Sequence, residues 1–428
     1  MSNQASSESL PAIGFEEEYQ LVDCENGQLI PNCKAVMGRL FGDASNDDAT
    51  NRDSNGSDSA GGDSHGGNFH GEDSTEAGFG GDAKQLDGEI QHELHLNQIE
   101  MASPICQTLD EVRSYAVSVR TRLAEAAAAV NTSLASAGTN PRAVPHEDNL
   151  APKDRYRNMT ERFQQIARDL YIFGCHVHVS MPDRELGVGV MNRCRRWLPL
   201  LQSMTANSPY WDTADTGYDS FRRELWVQWP MAGPPVHFAG LADHDAAVQR
   251  LVDAGAIPDT SHVYWDIRLP DKVPTIEFRA ADAMTEVWET VGYAALVRAM
   301  VMAATADVHA GRSTPDAGSA VDPAVLRYAM WHAARYGMSD ETVDCHAGKC
   351  VSTESMIDEL KSWVAAPLER TGDGDAVDQF INRIHRHGNG ARRQRRVIGD
   401  PDNHDRFPSD TQLRDVVLDC VARTKQVD

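Results

Sequence analysis

The sequence predicts an α+β fold, an antiparallel-leaning core of short strands with a helical C-terminal part. Two patterns carry that prediction. Short segments of alternating or polar-studded character stand among longer helical stretches, and beyond residue 322 the pattern is helical. The composition agrees: 428 residues, 41% hydrophobic and 24% charged, describe a soluble globular chain long enough for a large core.

In chain order, Ile13 to Val22 (IGFEEEYQLV) reads as a strand. From about residue 42 to 84 the chain is Gly, Ser, Asp and Asn with few large apolar residues, a low-complexity acidic insertion that cannot bury enough apolar area to offset its ordering entropy. Leu86 to Met101 reads as a strand pair, and Asp110 to Ala135, rich in Ala, Val, Leu and Arg, as one long helix. A helix over Asp154–Leu170, a strand over Phe173–Met181 and a helix around Val190–Ala206 follow. His262–Leu269 and Thr275–Ala280 read as strands and Glu286–His309 as a helix. Helices over Ala324–Tyr336, Ser352–Glu369, Ala376–His387 and Thr411–Thr424 make up the C-terminal part, about 322–428. No internal repeat is present, and residues 1–428 are expected to form a single catalytic domain.

Net charge is −24, a field that repels nucleic acid and anionic membrane surfaces. The chain has 33 Arg to 7 Lys and 41 Asp to 23 Glu, the balance of proteins adapted to high salt, where a Debye length of about 3 Å screens an acidic surface. Eight Cys are spread without CxxC spacing, against a zinc ribbon or redox dithiol, so a reduced cytoplasm is the expected setting. MSNQASSESLPAIGF has no basic region followed by an apolar stretch, and Arg298 interrupts the apolar run Tyr293–Ala306, so neither a signal peptide nor a membrane span is expected.

Four constellations carry chemistry. In Gly14-Phe-Glu-Glu-Glu-Tyr-Gln20, Glu16 and Glu18 share a strand face while Glu17 points away. Two carboxylates at 4 Å repel by about 4 kcal/mol at an effective dielectric of 20, so the pair invites a cation. Glu93 and Glu100 lie in EIQHELHLNQIEMAS, a polar strand pair whose HELH is one residue short of the zinc-protease HExxH. In FGCHVHVS, His176 and His178 share one face behind Gly174, which allows close backbone approach. In YWDIR and TIEFRA, Glu277 and Arg279 share a face, suited to an anionic phosphate held between a cation and a guanidinium fork; a structural ion pair is the plainer alternative. Excess hard oxygen donors, imidazoles and Arg favour Mg²⁺ or Mn²⁺ over thiolate zinc. No GxxxxGK[ST] or kinase glycine loop occurs, so a nucleotide would be held through metal and Arg.

GFEEEYQLVD, QIEMAS, SAGTNP, the Arg155-Tyr156 helix, FGCHVHVSM, ANSPYW, YWDIRLPDKVPTIEFRAAD and ARYGM, in this order, resemble the type 2 glutamate–cysteine ligase family, the carboxylate–amine ligases. The resemblance spans nearly the whole chain outside the insertion. It implies a glutamine synthetase-like curved antiparallel sheet with flanking helices, carrying ATP and divalent metal on its concave face. It further implies that Glu16, His176 and Glu277 hold the metal that bridges the ATP phosphates, and that Glu18, Glu93 and Glu100 hold a second one near the amino-acid substrate. Arg279 would contact the transferring phosphoryl group, Arg268 a phosphate or substrate carboxylate, and Arg155 the nucleotide. His178 is assigned a supporting place beside the ligands. Asn140 in GTNP departs from the His frequent in relatives. The implied reaction is ATP-dependent ligation of the glutamate γ-carboxylate to cysteine through γ-glutamyl phosphate, which needs no Ser or Cys nucleophile. With the composition, this reads as the γ-glutamylcysteine-forming enzyme of a salt-loving archaeon.

Alternatives remain open on the sequence: a carboxylate–amine ligase with another amine acceptor, or a metal-dependent hydrolase of barrel type, which also carries HxH on a strand. The single strongly basic run, Arg383–Arg396, would suit nucleic acid, but at this net charge a helix face paired with acidic groups is expected. The expected partners are therefore small molecules, without nucleic acid or membrane, and a homo-oligomer is compatible with the sequence.

Overall fold

The computed structural model describes residues 9–42, 88–143, 149–152, 154–312, 321–399 and 406–426. Nearly all of the acidic insertion lies outside the described residues. The strands, in order, are β1 (Ile13–Asp23), β2 (Glu89–His92), β3 (Gln98–Ala102), β4 (Thr132–Ala135) and β5 (Gly174–Ser180). They continue as β6 (Tyr210–Trp211), β7 (Ala214–Asp215), β8 (Ile267–Arg268), β9 (Thr275–Asp282), β10 (Glu341–Asp344) and β11 (Lys349–Ser352). The helices are α1 (Cys33–Phe41), α2 (Leu109–Ala128), α3 (Asp154–Phe163), α4 (Gln165–Arg168), α5 (Arg184–Cys194), α6 (Leu198–Thr205) and α7 (Phe221–Trp226). Then come α8 (Leu241–Asp253), α9 (Val287–His309), α10 (Pro323–Tyr336), α11 (Thr353–Thr371), α12 (Gly374–His387), α13 (Gly390–Ile398) and α14 (Asp410–Thr424).

Among the described residues, seven strands form the main sheet in the order β2-β3-β1-β5-β9-β8, with β4 also paired to β1, and every pairing is antiparallel. β1 is the hub because it is 11 residues long: Ile13–Glu17 pair with β5, Glu16–Gln20 with β3, and Gln20–Asp23 with β4. Period-two alternation gives this sheet two chemically different faces. Ile13, Phe15, Tyr19, Val177, Val179, Ile276 and Phe278 are buried in the main core with residues of α2, α5 and α9. Glu16, Glu18, Glu100 and His176 instead line a cavity.

The exception on the apolar face is Glu17, which alternation sends away from its two neighbours. It is buried and meets Arg120 of α2 at 2.5 and 3.1 Å, with Thr290 of α9 and the Tyr19 hydroxyl also donating to it. α2 itself is started by a capping box, Thr108 with Glu111. α9 is among the described residues the one helix long and apolar enough to cross a membrane, and it is a core helix, 72% of its most apolar window being buried.

Several expected boundaries move. The long helix 110–135 ends at Ala128; Asn131 takes φ 54°, and Thr132–Ala135 becomes β4, because a fully buried TSLA is wanted between β1 and α14. The 154–170 helix breaks at Gln164, φ 50°, into α3 and α4. The helix around 190–206 begins at Arg184 and is interrupted by a 3₁₀ turn at Arg195–Trp197. Of the strand over 262–269 only Ile267–Arg268 joins the main sheet, Trp265 making a single bridge to Gly233. The basic run closes α12 and forms α13, where Arg393 meets Glu289 at 2.5 Å and Arg395 meets Asp219 and Asp215 at 2.5 and 2.8 Å, all buried.

Candidate active site

The strand registers gather the chemistry. Glu16 pairs across to His176, His178 to Glu277, Glu277 to Arg268, and Glu18 to Glu100. A register shift between Cys175 and Val177 interrupts the β5–β9 ladder beside His176. Glu16, Glu18, Glu100, His176 and Arg268 of this set border a cavity of about 330 Å³, with His178 and Glu277 packed behind Glu16, Arg268 and Arg279. Its polar floor holds Glu16, Glu18, Glu93, Glu100, His176, Arg268 and Arg279, and its other wall includes Tyr156, Trp226, Trp229 and Tyr264.

At one end Glu277, with 0% exposure, receives Arg268 through Nε at 2.6 Å and Nη2 at 3.3 Å, and Arg279 as a second guanidinium. Burial alone would raise the Glu277 carboxyl, but Arg279 and then Arg268 overcome it and hold the group far below the usual range. Arg268 is fixed from behind by the carbonyls of Val263 at 2.8 Å and Ser261 at 3.3 Å. In the middle, Glu16 Oε2 lies 2.7 Å from His176 Nδ1 and Oε1 lies 3.3 Å from His178 Nε2. Burial again opposes ionisation of Glu16, and the two imidazoles overcome it to lower its pKa.

The two histidines titrate in opposite directions. Burial, then the charge of Arg279, lowers His176 to about 4. Burial also works against protonated His178, but Glu277 and Glu16 outweigh it and raise the group. At the other end three carboxylates, Glu18, Glu93 and Glu100, crowd beside Glu16. Burial raises Glu18 to about 7, with Arg222 opposing and Glu93 adding to the shift. Burial followed by the charges of Glu93 and Glu16 pushes Glu100 well above the ordinary carboxylate range. Glu93, in the turn after β2, is ordered by the Leu94 N–H at 2.8 Å and the Tyr156 hydroxyl at 3.2 Å. The HELH segment is thus a strand end and a turn, not a helix.

The donors fit a divalent cation. Ligand atoms of Glu16, His178 and Glu277 lie within 4.8 Å of one another. His178 Nε2 is buried without a hydrogen bond of good geometry, an orphan that a cation would satisfy. Glu18, Glu93 and Glu100 form a second cluster of oxygen donors in the cavity lining, where burial raises Glu18 and Glu100. His176, expected from the sequence in the first cluster, touches Glu16 but is not in the tight triad; His178 is. Arg155 falls in the first turn of α3, and its side chain lies outside the described residues.

Arg222, Trp226 and Trp229 escaped the sequence reading, and Tyr264 entered it only as the start of YWDIR. Arg222 and Trp226 sit one turn apart on α7, a helix of six residues, too short to give a periodic signal. Asn140 has a structural place: its amide donates to Gln20 at 3.0 Å and its oxygen accepts from Arg142 N at 2.8 Å.

Comparison with known proteins is decisive on kinship. The family model described as glutamate–cysteine ligase family 2 matches residues 12–413. The chain belongs to glutamate–cysteine ligase family 2. A family relative from Rhodopirellula baltica, provisionally named glutamate–cysteine ligase 2, is 52% identical over 90% of this chain and 93% of its own length. A relative from Salinispora arenicola, of the same provisional name, is 35% identical over 90% of each chain. Among solved structures, the glutamate–cysteine ligase of Francisella tularensis in complex with AMP superposes with TM-score 0.63 at 11% identity, covering 98% of this chain and 89% of that one. The bifunctional glutathione synthetase of Pasteurella multocida gives the same TM-score at 14% identity, over 97% of this chain and 52% of that one. The fold expected from the motifs is the fold of these two solved structures.

Proposed function

We propose that this family enzyme joins the γ-carboxylate of glutamate to the amine of cysteine, with ATP consumed to ADP and phosphate. The observation that carries the reading is the register-matched set Glu16, His178 and Glu277, joined to Arg268 and Arg279, at the edge of a cavity that Glu16 and the two arginines line. Glu16 and Glu277, with His178 and its neighbour His176, would hold a divalent cation, and Glu18, Glu93 and Glu100 a second. Such cations would neutralise phosphate charge.

The side chains of this protein do the rest. Arg279 and Arg268 supply fixed positive charge where the γ-phosphoryl group passes to the attacking carboxylate oxygen, and their pairing with Glu277 keeps both guanidinium groups in place without reorganisation. The buried floor and aromatic wall exclude water, which protects γ-glutamyl phosphate from hydrolysis until the cysteine amine displaces phosphate. The amine attacks the acyl carbon, the C–O bond to phosphate breaks, and the ammonium proton is lost.

The test is ADP release by purified protein with ATP and Mg²⁺. Release requires both glutamate and cysteine, and other amino acids replace cysteine poorly. Equal rates without cysteine would sink the cysteine assignment, and nucleotide-independent hydrolysis would sink the ligase reading.

A further inference from the structure

Arg222 stands apart from every other arginine of the cavity. Its side chain is 4% exposed and borders the cavity, yet among the described residues its guanidinium makes no hydrogen bond, and its Nε is buried without a partner. Its nearest carboxylate, Asp282, lies 3.9 Å from Nη1. That group is already occupied by Asn207 N at 2.8 Å and by the Ser208 and Ser220 hydroxyls at 2.7 and 2.8 Å. By contrast Arg268 and Arg279 are bound to Glu277, Arg223 to Asp266 and Arg120 to Glu17. A desolvated guanidinium, which cannot lose its proton, calls for an anion.

The backbone has been cleared for this side chain. A Cβ on Gly174 would come within 2.3 Å of Arg222 Nη2, so a side chain there would push the guanidinium off its place against the start of β5. The same Gly174 donates its N–H to Glu18 at 2.7 Å, which puts Arg222 at the Glu18 end of the site. His178, the register partner of Glu277, lies four steps along β5 from Gly174, roughly 13 Å at strand rise. Arg268 and Arg279 stand at one end of that span, and the Arg222 guanidinium, its one ion pair the long contact to Asp282, at the other.

We infer that Arg222 is the anchor for the α-carboxylate of the donor amino acid, holding the skeleton so that the side-chain carboxylate reaches toward Arg268 and Arg279. The inference rests on the proposed ligase function and adds the residue that selects an amino acid over a plain carboxylic acid. A bidentate guanidinium–carboxylate contact fits an α-carboxylate, whose two oxygens match the fork.

The experiment is steady-state kinetics of wild type, R222Q and R222K, with melting curves as a check on folding. R222Q should raise KM for glutamate by about 10- to 100-fold while leaving KM for ATP and for cysteine near wild type. R222K keeps a point charge without the fork and should fall between. 4-Aminobutyrate, which lacks the α-carboxylate, should compete with glutamate no less well against the variants than against wild type. If R222Q does not fold, R222K alone carries the same comparison. A rise confined to ATP or to cysteine, or an unchanged KM for glutamate, overturns the assignment of Arg222 while the ligase reading stands. A wild-type enzyme indifferent to glutamate overturns both.

Discussion

The triplet Glu16-Glu17-Glu18 allows a sharp separation of catalysis from stability. Glu17→Gln removes a charge that Arg120, 1% exposed, meets through Nη2 at 2.5 Å and Nε at 3.1 Å. Arg120 cannot discharge itself, so the variant strands a buried cation whose remaining contacts are the carbonyls of Thr285 at 2.7 Å and Met284 at 3.1 Å and the Thr290 hydroxyl. Breaking a buried pair from one side costs about 3–5 kcal/mol. At roughly 2.1 cal/mol/K of unfolding entropy per residue, a chain of this length loses about 3–6 °C in Tm. Turnover per folded molecule should stay within about threefold of wild type, because Glu17 faces away from the cavity. Glu16→Gln should do the reverse, keeping Tm within a degree or two while kcat/KM falls by more than the about 10- to 100-fold that follows loss of an outer partner of a metal ligand. Calorimetry on both variants, with ADP release below their melting points, reads the two effects. An inactive E17Q with unchanged Tm, or an unstable E16Q with normal turnover, would refute the assignment of faces.

Glu277→Gln, in the pocket between Arg268 and Arg279, should lose more than about 100-fold in turnover and still give a native circular dichroism spectrum; near-normal Mg²⁺-dependent activity would contradict the site. His95, buried and stacked on Tyr171 with ring centroids 4.1 Å apart, is lowered to about 4 by burial. A base depressed in the folded state stabilises the fold above its ordinary pKa and loses that contribution as pH falls from about 6.5 to 4, about 3 kcal/mol here. Urea unfolding at pH 7 and pH 4.5 should therefore show a larger acid loss for wild type than for His95→Phe, and parallel losses would refute it. Deleting residues 45–82, in the acidic insertion, should leave kcat/KM within about threefold. A well-folded but inactive deletion would show that the insertion works in catalysis.

What could be read from the sequence was what period two makes local. Glu16 and Glu18 on one face with Glu17 on the other, the HxH pair, and Glu277 with Arg279 all follow from side-chain alternation within a single strand. What strand joins which, and at what register, depends on long-range pairing, so the choice between His176 and His178 was beyond the sequence. In the fold Glu277 lies opposite His178, the register shifts between Cys175 and Val177, and His178 is the imidazole whose ligand atom comes within 4.8 Å of those of Glu16 and Glu277. β4 reads as helix because four residues, TSLA, are too few to carry a period of their own. Arg222 was invisible for a similar reason: it arrives from a six-residue helix, and its meaning lies in the absence of a partner, which only packing reveals.

The most direct measurement follows oxygen. With glutamate labelled with ¹⁸O in its γ-carboxylate, plus ATP, Mg²⁺ and cysteine, carboxylate attack on the γ-phosphoryl group transfers one labelled oxygen to each phosphate released, alongside ADP. Unlabelled phosphate, or release of AMP and pyrophosphate in its place, would contradict ligation through an acyl phosphate at this site.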